Sequence, residues 1–183
     1  MPSLLEADRL ELLKLARAAV TEIVTKRRLV PLPSSLSPIF EERRGVFVTL
    51  HFAKRLRGCI GVLDSKESLG MAVIHCAASA ATEDPRFAAV NADELPGIRI
   101  ELSVLSELTP IRPADIVIGV HGLAIFSQQR KGVLLPQVAV AHQLDRQQFL
   151  AETCKKAGLP PDAWQDPGTQ IMGFTSEIFS EPD

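Results

Sequence analysis

The residue type best suited to chemistry in this chain is a thiol, and Cys59 is the one whose neighbours would expose it. It lies in the hexapeptide Leu56-Arg57-Gly58-Cys59-Ile60-Gly61, where Gly58 and Gly61 leave room for a ligand and Arg57, on the same face of an extended strand, would favour the thiolate. The alternative is a core cysteine on a strand, since free cysteines are among the most buried residue types. A second cluster is Asp84-Pro85-Arg86-Phe87. Arginine's fork suits a carboxylate or phosphate, so Arg86 can face a ligand. The same four residues can instead lock a loop, with Asp84 binding amides, Arg86 pairing with a carboxylate and Phe87 filling the core. Gln137, in an apolar run after Pro136, is either a tie between backbone segments or part of a pocket wall. His75 could act as a base toward Cys59, although nothing in the spacing brings the two together. His51, His121 and His142 lack metal-ligand spacing with one another or with the cysteines, so neither zinc nor any other cofactor is expected.

Composition excludes several classes of protein. The 183 residues fit one domain, or one domain with a smaller lobe, and 46% hydrophobic with 23% charged residues is ordinary globular usage. A net charge of -2 gives no bulk field for nucleic acid or an anionic membrane. The basic run Lys54, Arg55 and Arg57, beside Arg43 and Arg44, reads as a solvated face. Tyrosine is absent, so platforms for stacking bases are sparse. No apolar stretch is long enough to span a bilayer, and the first ten residues carry acids where a signal peptide carries positive charge, which predicts a cytoplasmic protein. No G-x-G-x-x-G fingerprint or P-loop follows any strand.

The elements that must position these residues follow from hydrophobic period. Ser3 and Glu6 suggest a capping box opening a helix. Leu10, Leu13, Ala16, Val20 and Ile23 or Val24 form its apolar face, and it should end near Leu29, before Pro31 and Pro33. From Val46 the period changes to two, with Val46, Val48, Leu50 and Phe52 alternating against Phe47, Thr49 and His51. A turn over residues 53–55 then leads into a second strand containing the hexapeptide, whose glycines imply a bulge or a close backbone approach. Asp64 and Glu67 signal another helix, with Leu69, Val73, Cys76 and Ala80 on one face, reaching about Thr82. Ile98, Ile100, Leu102 and Val104 mark the clearest strand. A further antiparallel set is expected over residues 116–138, turning at 128–132. Asp145 and Gln148 open a last helix, with Phe149, Leu150 and Cys154 inward and a stop at Gly158, and residues 171–179 should form one short strand. The sum predicts an α+β fold with a mainly antiparallel sheet packed with helices.

With the elements placed, a family resemblance stands out. The hexapeptide at 56–61 resembles the signature of the AMMECR family, the bacterial AmmeMemoRadiSam system protein A group. Asp84-Pro85-Arg86-Phe87, Gly132-Val133-Leu134-Leu135-Pro136-Gln137-Val138-Ala139, and Phe149-Leu150 with Cys154-Lys155-Lys156-Ala157-Gly158-Leu159 and Trp164 resemble its later landmarks in order. Ala141 and Leu144 stand where the family pattern has an acidic residue and an aromatic. The resemblance implies a single AMMECR-type domain over residues 1–183 with a larger and a smaller lobe, their boundary in residues 106–120. It also implies genetic association with a Memo-like protein and a radical SAM enzyme, and it transfers architecture and context rather than a reaction. Two functional classes therefore stand side by side. One is a small enzyme with a small-molecule or thiol-dependent site around the hexapeptide, acting on a small molecule or a modified macromolecule, with Cys59 as the reactive group and Arg57, Gly58, Gly61, Asp84, Arg86 and Gln137 as ligand-binding residues. The other is a non-catalytic binding or scaffold module for those partners or for a macromolecule.

Cys59, Cys76 and Cys154 are far apart, odd in number and free of any C-x-x-C pairing, a pattern of reduced thiols. Alkylation of the denatured chain before and after reduction should count the same three thiols, and a higher count after reduction would reveal a disulfide.

Overall fold

The computed structural model describes residues 3–34 and 37–182. In chain order its helices are α1 (Glu6–Lys26), α2 (Leu69–Thr82), α3 (Pro136–Ala141) and α4 (Arg146–Lys156). Its strands are β1 (Val46–Phe52), β2 (Arg55–Val62), β3 (Ile98–Leu105), β4 (Thr109–Pro110), β5 (Gly122–Ser127), β6 (Arg130–Leu134), β7 (Gln170–Phe174) and β8 (Ser176–Ser180). The chain divides into two compact units: residues up to Leu105 together with those from Glu177, and residues 106–176.

The first unit is built on a four-stranded sheet in the order β2-β1-β3-β8. Both β2 and β3 pair antiparallel with β1. Val46, Val48 and Leu50 from β1 and Ile98, Ile100, Leu102 and Val104 from β3 are buried in one core with residues of α1 and α2, as period-two alternation requires. Ala53 and Lys54 take left-handed φ values of 49° and 62°, the geometry of a two-residue hairpin turn whose twist matches the strands. Leu50 faces Gly58 but His51 faces Leu56, so Arg57 is the extra residue of a bulge.

Both glycines of the hexapeptide are explained by packing. A Cβ at Gly58 would lie 2.2 Å from the carbonyl oxygen of Ala80, and one at Gly61 would lie 2.3 Å from the ring of Phe47. The bare backbone at Gly58 is what allows α2 to approach β2. Ten of the fourteen residues of α2 are buried, four of them alanines between Ala77 and Ala81, as expected of a helix that is apolar on all sides.

Several boundaries differ from the sequence reading. The Ser3 hydroxyl donates to Glu177 Oε2 (3.1 Å) instead of capping α1. The cap is Leu5, whose N–H donates to Asp8 Oδ2 (3.1 Å). The helix stops at Lys26 because Arg27 turns left-handed at φ 55°, before the prolines are reached. Leu10 is 48% exposed while Leu12, Leu15 and Ala19 are buried, because the arc that α1 packs on α2 and β3 is centred on Leu12, Ala16 and Ala19 and leaves Leu10 on the far side. Helix α2 starts at Leu69, after a turn in which Ser65 Oγ accepts from Glu67 N (3.1 Å).

The second unit has a four-stranded sheet in the order β4-β7-β5-β6, with antiparallel β4–β7, β5–β6 and β5–β7 pairs. Its core gathers Ile116, Leu123, Ile125, Ala139, Phe149, Leu150, Cys154 and Ala163. Asp145 and Gln148 do form a reciprocal capping box on α4, at 2.8 and 2.9 Å, and Gly158 at φ 71° follows the helix. The hairpin turn is shorter than expected, with only Gln128 and Gln129 between β5 and β6. Gln137 lies not in an extended run but in the short helix α3, which Pro136 opens at a position where its missing N–H leaves no bond unmade. The C-terminal stretch is two strands in two different sheets, β7 and β8.

The molecule is thus an α+β protein with antiparallel pairing, and among the described residues no helix is long and apolar enough to cross a membrane. The Gly58 contact gives a direct test. Gly58→Ala should destabilise the fold by about 1–3 kcal/mol through overpacking. Gly168→Ala, where a Cβ meets nothing within 4 Å, should shift the denaturant midpoint little. Equal midpoints for the two variants would contradict the packing.

Candidate functional site

On β2 the pairing of Cys59 with Thr49 places the thiol where Thr49 Oγ1 donates to Sγ at 3.4 Å. Among the described residues the other edge of β2 carries no strand, and side chains from the loop after α2 occupy it. The Cys59 N–H donates to Asp84 Oδ2 at 2.8 Å. An Arg86 Nη2 hydrogen bond runs to the Cys59 carbonyl at 3.3 Å. Asp84 and Arg86 thereby satisfy the two backbone groups that a neighbouring strand would take.

The Asp84 carboxylate is buried, its side chain 3% exposed, and four donors satisfy it. Beyond Cys59 N, these are Arg86 N (3.1 Å) and Nε (2.9 Å) on Oδ1 and Arg86 Nη2 (2.7 Å) on Oδ2. The Arg86 guanidinium holds this carboxyl far below the usual carboxylate range, with the backbone N–H groups of Cys59 and Arg86 acting in the same direction against the penalty of burial. Arg86 is in turn pushed up, chiefly by its hydrogen bonds to Asp84 and in smaller part by Cys59. Its guanidinium lies 5.5 Å from the ring centroid of Phe87, and its side chain remains 52% exposed.

Arg57, expected beside the thiol, is engaged elsewhere. Its Nε and Nη2 form a two-pronged pair with Glu94 (2.7 and 2.9 Å), and Nη1 and Nη2 donate to the carbonyls of Ala88 (2.8 Å) and Ala89 (3.4 Å). Its side chain is 16% exposed. The Glu94 hydrogen bonds raise the Arg57 pKa, and the same bonds with that from Asn91 N lower the Glu94 pKa. The cation presented to Cys59 is therefore Arg86, because the bulge turns Arg57 toward the 88–94 segment. Glu94 escaped the sequence reading, although the Asn91-x-x-Glu94 capping box that fixes it, with Asn91 Oδ1 accepting from Glu94 N at 3.2 Å, is a recognisable signal.

The remaining candidates behave differently. His75 pairs through Nδ1 with Glu67 Oε2 at 2.7 Å on a partly exposed helix flank. Gln137 belongs to the second unit, where its Oε1 is buried and has no hydrogen-bond partner among the described residues. Among the described residues no three His, Cys, Asp or Glu side chains gather as a metal site. All three cysteines are free, Cys59 half-buried and Cys76 and Cys154 buried.

A strand-edge cysteine whose backbone is held by an Asp–Arg clasp, in a two-unit α+β fold, defines a class that comparison with known proteins makes specific. The family model AMMECR1 matches residues 13–179, and the chain belongs to the AMMECR1 family. A protein of Methanothermobacter thermautotrophicus is 45% identical over 177 residues, covering 93% of this chain and 92% of the relative. One of Thermococcus gammatolerans is 44% identical over 181 residues, covering 93% and 88%. The crystal structure of the uncharacterised protein PH0010 from Pyrococcus horikoshii superposes with a TM-score of 0.93 at 38% identity, covering 97% of this chain and 93% of that one.

The clasp carries a stability prediction with a defined sign. Because the Asp84 pKa is lower folded than unfolded, its contribution is fully present above the ordinary carboxylate pKa of about 3.9 and is lost as pH falls toward the folded value. Asp84→Ala should cost on the order of 1.5–3 kcal/mol at neutral pH, the range for hydrogen bonds to a charged group. The gap between the variant and the parent should narrow below about pH 4. A gap independent of pH in acid unfolding curves would contradict the ionised clasp.

Proposed function

We propose that the β2 edge at Cys59 is a thiol-dependent site for a small molecule bearing an anionic group. The observation that carries this reading is the position of Arg86. Its guanidinium is anchored by Asp84 and by the Cys59 carbonyl while half of its side chain remains open, so it can meet a carboxylate or phosphate next to the thiol without rearranging. Asp84, Arg57 and Glu94 position; Gly58 and Gly61 permit the packing that holds the edge in place; Cys59 and Arg86 meet the ligand. Gln137, with its unpartnered buried oxygen, is proposed as a further polar contact for a ligand in its own unit. In the cell this site acts alongside a Memo-like protein and a radical SAM enzyme.

The second reading, a non-catalytic binding module for such partners, has its own support. Val117, Val120 and Val140 are each about half exposed, and Gly119 lies against Val140, giving an apolar patch of the kind that marks interaction surfaces.

Alkylation kinetics on the folded protein separate the two. Burial pushes the Cys76 thiol up to about 11 and also raises that of Cys154, so both serve as slow internal controls. Cys59 should react at least about tenfold faster than either. Arg86→Gln should selectively slow iodoacetate relative to iodoacetamide, because only the former carries the charge the guanidinium would hold. A Cys59 rate no faster than the controls would remove the thiol site and leave the binding module.

A further inference from the structure

The second unit holds a concavity unrelated to the Cys59 edge. About 630 Å³ in volume, it is lined by Leu134 from β6, Val138 and His142 at α3, Leu144, and Glu152, Lys155 and Lys156 from α4. That volume lies in the range of small-molecule sites. Leu134 and Leu144 pack against the unit's core while remaining partly open, so the floor is apolar.

The rim is polar and its charge is unbalanced. Lys155 Nζ pairs with Glu152 Oε1 at 2.6 Å, which leaves Lys156 without a carboxylate partner among the described residues. Gly132 fixes the geometry. A Cβ there would lie 2.4 Å from Ala157 N and 2.5 Å from Thr153 O, so its absence lets the C-terminal half of α4 rest directly on β6 and carries both lysines to the mouth of the concavity. Lysines in a last helical turn ordinarily offset the helix dipole. Here they also stand over an apolar floor, and His142 can donate a further hydrogen bond.

We propose that this concavity binds a small monocarboxylate with an apolar chain, its carboxylate on Lys156 and His142 and its chain on Leu134, Val138 and Leu144. One uncompensated lysine suits a single negative charge. The lining has no aromatic ring other than the imidazole, which disfavours a nucleotide base.

The test uses the intact chain with octanoate, octylamine and acetate as probes, read by amide chemical shifts and calorimetry. Octanoate should bind saturably, at least about tenfold more tightly than either other probe, and should move the amides of Leu134, Val138 and Leu144. Lys156→Gln, an exposed substitution that should leave the fold intact, should weaken octanoate about tenfold, as loss of one charged contact would. Octylamine binding as well as octanoate would mean apolar association without charge recognition. Acetate binding as well would mean an adventitious ion only. Undiminished octanoate binding by Lys156→Gln would place the ligand elsewhere. Any of these three results overturns the proposal, whatever the outcome at Cys59.

Discussion

The carboxylate of Asp84, buried against the backbone of Cys59, is the contact on which the arrangement of the first unit turns. An edge strand exposes N–H and C=O groups that would otherwise pair with another chain. At Cys59 the N–H goes to Asp84 and the C=O to Arg86, so two side chains two residues apart take the part of a missing strand. The contact depends on Gly58. Only because α2 can approach β2 at Ala80 does the loop that follows α2 arrive at the right height to present Asp84. Arg57 then extends the seal along the same edge by holding Ala88, Ala89 and Glu94.

Burying one carboxylate is costly unless donors replace its water. Asp84 has four, three of them from Arg86. The pairing is asymmetric in exposure, with the acid enclosed and the base half open. That asymmetry puts Arg86 in two environments at once. It neutralises the acid that seals the edge and keeps one side of a cation at the surface beside a thiol. Arg57 has no such freedom, since its donors are taken up by Glu94 and two carbonyls and its side chain is mostly covered.

The second unit uses similar means on a smaller scale. Gly132 in β6 does for α4 what Gly58 in β2 does for α2, removing a side chain so that a helix backbone can lie on a strand. In each unit the polar groups of greatest chemical interest stand next to such a contact: Cys59 beside Gly58, and Lys155 and Lys156 between Thr153 and Ala157, the residues that meet Gly132. The family match runs through both units.

Sequence alone determined what local period and local chemistry control. The alternation from Val46 and from Ile98 specified β1 and β3 because one face of each is buried. The Asp145–Gln148 box and Gly158 bounded α4 because those groups satisfy the helix's own ends. The hexapeptide and Asp84-Pro85-Arg86-Phe87 could be picked out by residue type. Tertiary structure decided which of those residues face one another. Arg57 looked like the thiol's cation because regular alternation puts it on the Cys59 face. A one-residue bulge, set by pairing with β1, gave that place to Arg86, 27 positions away along the chain. The start of α2 at Leu69, whose N–H donates to the carbonyl of Glu42 at 2.7 Å, the exposure of Leu10 and the division of the C-terminal stretch between two sheets were likewise settled by neighbours distant in sequence. Burial and strand pairing are properties of the packed chain, and a pattern read along one segment carries no record of what will lie against it.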